Sequence, residues 1–160
     1  MSNKNTGKKK VVVQLPGVAK QIALEERYSL ELESLDEVAE LVEVDSSSPG
    51  SFLEGARDAD ALLTSWGIKI DQQIISGLEK CVVIGVGSVG VDMVAVDAAT
   101  EAGIVVTNVP DVFIEEVADH TLMLLLACAR RSKLMDKMVN EGRWYKGRPV
   151  LEKIPRLWGQ

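Results

Sequence analysis

With 160 residues, 46% of them hydrophobic and 26% charged, the chain has the composition of an ordinary globular protein. It is long enough to bury a core in one domain with an appendage. The net charge of −6 argues against a nucleic-acid-binding face, since no basic stripe occurs beyond the N-terminal tail. Cys81 and Cys128 both sit in apolar runs and read as buried, reduced thiols of a cytoplasmic protein. No Cys/His cluster offers a metal site.

Residues 1–10 form a polar, basic tail with the composition of a disordered segment. Lys8, Lys9 and Lys10 before Val11 mimic the start of a signal peptide. Gln14, Pro16 and Gly17 interrupt the apolar run well short of the ~7–15 residues an export signal needs. Residues 11–15 read as a first strand, apolar enough to be buried on both faces. Two simple phosphate-handling folds fail at its end. A response-regulator receiver needs acids there and an Asp after the third strand, where this chain has Gln14-Leu15-Pro16 and Thr64-Ser65. A flavodoxin needs a Ser/Thr-rich loop, and Pro16-Gly17-Val18-Ala19 is not one.

The Glu/Leu-rich stretch 23–35 predicts one amphipathic surface helix, and 39–44 a second strand. Asp45-Ser46-Ser47-Ser48-Pro49-Gly50 is loop chemistry, with Ser51 as the expected cap of a short helix ending near Ala56. A third strand is expected at 61–65 and a helix over 71–78 opening on an Asp71 cap. A fourth strand follows at 81–84, a helix over 94–102 stopped by Gly103, and a fifth strand at 104–109 closed by Pro110. This strand–helix alternation predicts an α/β fold: a parallel five-stranded sheet with helices on both faces. Right-handed crossovers favour the flavodoxin-like strand order.

The last element is a long helix over 115–141. Asp111 is its expected cap, Glu115 and Glu116 suit its positive end, and Gly142 stops it. Leu122-Met-Leu-Leu-Leu-Ala-Cys-Ala129 is apolar on every face for more than two turns, the pattern of a helix buried all round. It is too short for a membrane span of ~20 apolar residues. The sheet can cover one side only, so the rest is expected to be covered from outside this chain.

Between the fourth strand and the next helix lies Gly85-x-Gly87-x-x-Gly90, a literal match to the dinucleotide fingerprint. The mechanism asks for more: a helix opening inside the motif and an acid ending the next strand. Val91, Asp92 and Met93 open a helix poorly, and the next strand ends on neutral Thr107-Asn108. The loop nevertheless lies where open α/β sheets bind small ligands. Successive backbone N–H groups of Val89 and Gly90, in a turn the glycines permit, make an anion-binding concavity sized for a carboxylate. A tight turn that only reverses the chain is the other reading of the same residues. Ser65, Trp66 and Gly67 follow the third strand and are expected beside that loop; Trp66 alternatively caps the core. His120 is the only histidine, four residues after Glu116 on one helix face, and reads as structural or interfacial.

The second half of the chain resembles the D-isomer-specific 2-hydroxyacid dehydrogenase family. The matching residues are Ser88-Val-Gly-Val-Asp92, Ala98-Ala99, Gly103-Ile-Val-Val-Thr-Asn-Val-Pro110, Glu116-Val-Ala-Asp-His120, Leu124-Leu-Leu-Ala127 and Arg130-Arg131. The glyoxylate/hydroxypyruvate reductase and C-terminal-binding-protein branches look most similar. The resemblance implies a substrate domain over 11–110, followed over 111–160 by a helix and lead-in to a nucleotide-binding domain that is missing. Pro155-Arg-Leu-Trp-Gly-Gln160 resembles that lead-in, so the chain is expected to be truncated. It implies a parent enzyme moving a hydride between NAD or NADP and a small 2-hydroxy/2-oxo acid, dimeric through 115–141. It places the substrate carboxylate at Ser88, Val89 and Gly90, the loop beside which the strand edge already puts Ser65 and Trp66. Ile114 stands where the family often has Thr near the nicotinamide. No catalytic residue transfers, because the family's acid–base histidine lies far downstream of His120. A corepressor-type, nucleotide-sensing binding module is the competing class. A free-standing flavodoxin-like domain is a third, opposed by the uncovered helix.

Overall fold

The computed structural model describes residues 7–15, 22–154 and 156–159. Residues 1–6 of the tail expected over 1–10, the Pro16-Gly17-Val18-Ala19 loop, and Pro155 and Gln160 of the lead-in lie outside them. In chain order the elements are β1 Lys9–Leu15, α1 Leu24–Arg27, α2 Ser29–Leu35, β2 Ala39–Asp45, α3 Pro49–Ala56, β3 Ala61–Thr64, α4 Gln72–Gly77, β4 Val83–Val86, α5 Val96–Glu101 and β5 Val105–Asn108. Three further helices follow: α6 Ile114–Ala129, α7 Ser132–Asn140 and α8 Trp144–Leu151. The chain divides into two compact units, Met1–Pro110 and Asp111–Gln160.

In the first unit the five strands run parallel in the order β2-β1-β3-β4-β5, the flavodoxin-like order. Val11, Val12, Val13 and Gln14 of central β1 are all buried, because both faces of the sheet carry helices. On one face Val12, Leu62 and Ile84 meet Phe52 and Ala56 of α3, Ile74 and Ile75 of α4, and Ala99 of α5. On the other, Val11, Val13 and Leu41 meet Leu24, Tyr28, Leu32 and Leu35. Alternate residues of β1 and β3 thus feed two half-cores, as the pleat dictates. The register sets Thr64 beside Val86 and Val86 beside Asn108. The C-terminal ends of β3, β4 and β5 therefore form one edge.

Several boundaries differ from expectation. β1 starts at Lys9, inside the stretch read as tail. The single helix over 23–35 is two, broken at Tyr28 (φ −127°, ψ 34°), whose ring packs into the half-core beneath. The Arg27 guanidinium lies 5.3 Å from that ring's centroid and pairs with Glu43. Ser48, not Ser51, caps α3, its hydroxyl accepting the Ser51 N–H at 3.1 Å; Pro49 at the first helical position suits that placement. Asp71 caps α4 as expected, accepting from the Ile74 N–H at 3.0 Å. β4 lies two residues later than the apolar run suggests and continues through Gly85, where an added Cβ would meet the Leu63 side chain at 3.3 Å.

The second unit is all helical. The expected helix over 115–141 breaks into α6 and α7 at Arg131, which takes a left-handed conformation (φ 52°). Asp111 does not cap α6; its cap position is Phe113, with no side-chain bond. Gly142, at φ 62°, ends α7 as expected. Met138 is buried, and its sulfur lies against Gly147 of α8, where a Cβ would come within 2.3 Å. No residue of α6 is buried. Cys128 is exposed rather than buried, and His120 likewise. No helix among the described residues is long and apolar enough to cross a membrane.

Candidate functional site

The edge formed by the ends of β3, β4 and β5 carries the glycine loop. Gly87 N–H donates to the Thr64 carbonyl at 2.8 Å, tying the loop to the end of β3. A Cβ at Gly87 would touch Ser65 Cβ at 3.4 Å, so glycine lets the two loops approach closely here. Past Gly87 the chain turns without a helix. Ser88 Oγ donates to the Gly90 carbonyl at 2.8 Å, Asn108 Nδ2 donates to the Val89 carbonyl at 2.7 Å, and Val109 N–H to the Ser88 carbonyl at 3.3 Å. With these carbonyls turned inward to partners, no acceptor among the described residues takes the N–H of Val89 or Gly90. Both residues are exposed.

The structure brings Ser65, Ser88, Val89 and Gly90 together. Ser65 and Ser88 are half-buried against the edge. Trp66 follows Ser65 but is 82% exposed, which removes the reading of it as a cap on the core. Ile114 belongs to the second unit, as the exposed first residue of α6. The expectation that glycine dihedrals shape the turn is not met, since Gly85, Gly87 and Gly90 all lack positive φ. What these glycines supply is closeness, and the open N–H groups are a pair at a bend rather than a left-handed nest.

Two residues with structural roles at this edge were not singled out from sequence. Asn108 ends β5 in register with Val86, and its carboxamide holds the Val89 carbonyl. The rule that parallel strands end together at a ligand edge would have pointed to it. Gln14, 3% exposed, sits at the matching end of β1 and reaches the loop after β3.

Chemically, what this edge offers is two open N–H donors, at Val89 and Gly90. The residues brought together include no general acid, base or nucleophile pair, and no group of His, Cys, Asp or Glu among the described residues could hold a metal. Asp92 places a carboxylate oxygen 2.8 Å from where a Gly90 Cβ would stand, a negative charge that opposes anion binding. A dinucleotide does not fit the loop. α5 opens only at Val96, six residues past Gly90, so no helix N-terminus faces the glycines to receive a pyrophosphate.

The family pattern described as D-isomer specific 2-hydroxyacid dehydrogenase, catalytic domain, matches residues 20–154. The chain is 39% identical over 114 residues to the D-3-phosphoglycerate dehydrogenase of Methanocaldococcus jannaschii, covering 71% of this chain and 22% of that protein. It is 41% identical over 93 residues to the glyoxylate reductase of Pyrococcus furiosus, covering 58% and 28%. In structure it resembles the NADPH-dependent glyoxylate/hydroxypyruvate reductase of Sinorhizobium meliloti, solved with NADP and malonate, at TM-score 0.65 and 28% identity over 87% of this chain and 40% of that one. The chain thus spans less than half the length of these relatives. With the family pattern running from before β2 through the glycine loop and the helices beyond it, the chain belongs to the D-isomer specific 2-hydroxyacid dehydrogenases.

Proposed function

We propose that this chain supplies the carboxylate-binding part of an oxidoreductase that transfers a hydride between NAD or NADP and a small 2-hydroxy or 2-oxo acid. The observation that carries the reading is the pair of open N–H groups at Val89 and Gly90, on a sheet edge of a chain in this family. In it, Val89 and Gly90 hold the substrate carboxylate, Ser88 shapes their turn through its bond to the Gly90 carbonyl, and Ser65 and Trp66 flank the acid. The relatives support the substrate class, being named for glyoxylate and 3-phosphoglycerate, and the bound malonate is itself a carboxylate. Residues 11–110 act as the substrate domain and 111–160 lead toward a nucleotide-binding domain. Ile114 makes an apolar contact near the nicotinamide, and two copies pair through 115–141. The two free cysteines fit the reducing cytoplasm.

No acid, base or hydride site is assigned within this chain. Its own contribution is binding and orientation, which fix the carboxylate so that the adjacent carbon is presented in one pose. The test is a 1H–15N NMR titration of the chain with oxalate. The amides of Val89 and Gly90 are expected to shift most, with millimolar affinity, about −4 kcal/mol. Asp92 nearby, with no cationic side chain among the described residues grouped at the site, keeps it weak. Shifts confined to other residues would contradict the assignment.

A further inference from the structure

We infer that Gln14 is a positioning residue, whose buried carboxamide sets the loop 65–68 and through it the placement of Trp66, which follows Ser65 at the sheet edge that carries the Val89 and Gly90 amides. The inference rests on the substrate reading above and deepens it.

A glutamine in the end of a central parallel strand is an unusual choice, since the neighbouring β1 positions Val11, Val12 and Val13 are aliphatic and buried. Its side chain is 3% exposed and uses both ends. Nε2 donates to Thr64 Oγ1 at 2.8 Å and to the Ile68 carbonyl at 3.0 Å, while Oε1 accepts the Ile68 N–H at 2.7 Å. One carboxamide therefore satisfies both backbone groups of Ile68, standing in for the peptide unit of a neighbouring strand. It also grips the last residue of β3, so the three residues Ser65, Trp66 and Gly67 are held between two fixed points.

Gly67 completes the clamp. It has φ +152°, and a Cβ there would lie 2.0 Å from Gln14 Oε1 and 2.9 Å from Cδ. The choices at 14 and 67 are thus coupled: the loop passes over the carboxamide only because residue 67 has no side chain. Beyond the clamp, Ile70 N–H donates to the Met93 carbonyl at 2.8 Å, and its own carbonyl accepts the Ala95 N–H at 2.9 Å. The segment 64–70 is pinned by β1 on one side and by the chain leaving the glycine loop on the other. Trp66, 82% exposed, has little packing of its own. Its indole goes where the backbone puts it, and the backbone is set by Gln14. A core filler would need only volume, which leucine or methionine provides; it would not need both groups of Ile68.

The experiment compares wild type with Gln14→Met, which keeps volume and removes all three hydrogen bonds, and with Gly67→Ala, whose added methyl displaces the carboxamide while residue 14 itself is unchanged. In both variants amide hydrogen exchange at Ile68 should speed up at least tenfold and the Trp66 indole N–H resonance should move, while exchange at Val12 and Leu62 stays unchanged. Oxalate affinity at Val89 and Gly90 should fall threefold or more, and that of a bulkier 2-oxo acid, phenylpyruvate, should change by a different factor. Gln14→Glu, which retains the acceptor for Ile68 N–H, should be intermediate in Ile68 exchange. A folded Gln14→Met chain with unchanged Ile68 exchange and Trp66 indole overturns the inference. So does global unfolding of both Gln14→Met and Gly67→Ala, which would make Gln14 a core residue. A wild-type chain whose Val89 and Gly90 ignore oxalate overturns the substrate reading instead, and the exchange and indole measurements then decide Gln14 by themselves.

Discussion

At the scale of single residues, the edge opposite the candidate site is held by Asp60. Its carboxylate accepts the Lys10 N–H at 2.9 Å and the Lys9 ammonium at 3.1 Å, with Lys80 3.4 Å away. The Lys10 backbone hydrogen bond, then the Lys9 side-chain hydrogen bond, with the Lys80 and Lys9 charges behind them, hold its pKa down to about 2 from 3.8. In the unfolded chain the carboxyl regains its ordinary value, so between pH 4 and 2 unfolding takes up a proton that the folded state refuses. The stabilisation is complete above about pH 4 and is lost as pH falls through 2. Asp60→Asn should lower the urea midpoint at pH 6, and the gap to wild type should close progressively from pH 4 to pH 2. A gap independent of pH over that range would mean that Asp60 acts by shape alone. This network was hard to read in advance, because Lys9 and Lys10 look like the end of a charged tail. The strand begins under them only because Asp60, fifty residues on, and the Val38 carbonyl are there to receive them.

At the scale of elements, capping chemistry and periodicity were legible where they are local. Asp71 opens α4 and Gly142 closes α7 as their residue types predict. The breaks at Tyr28 and Arg131 were not legible. Each interrupts an otherwise good helical pattern, Tyr28 by turning its ring into a half-core and Arg131 by a left-handed backbone that arginine does not prefer. The apolar run of α6 predicts burial, yet Val117, Leu122, Met123, Leu124, Leu125 and Leu126 are each 49–61% exposed. Such a surface favours association in water, and the proposed pairing through 115–141 follows from it. Replacing Leu122 and Leu125 by Glu should raise the self-dissociation constant at least tenfold in sedimentation velocity over a concentration series. A wild-type chain that stays monomeric at the highest concentration would contradict the pairing.

At the scale of the whole molecule, the strand–helix alternation was enough for the strand order, because right-handed crossovers leave few arrangements of five parallel strands. The candidate site was legible in part. Val89 and Gly90 could be singled out as a loop at a sheet edge and Ser88 through the family resemblance, whereas Asn108 and Gln14 became visible only when register placed their ends beside it. The glycines themselves were misread as conformational, when their use is close approach of Gly87 to Ser65 and of Gly85 to Leu63.

The central question is therefore which ligand this loop is built for, since the same three glycines spell a dinucleotide fingerprint and border the proposed carboxylate site. Calorimetric titration of the chain with NADH answers it most directly. Because no helix opens until Val96 and β5 ends on neutral Asn108, no stoichiometric heat is expected at micromolar NADH. One-to-one binding at micromolar affinity would contradict the account and make the Gly85, Gly87 and Gly90 loop a nucleotide site.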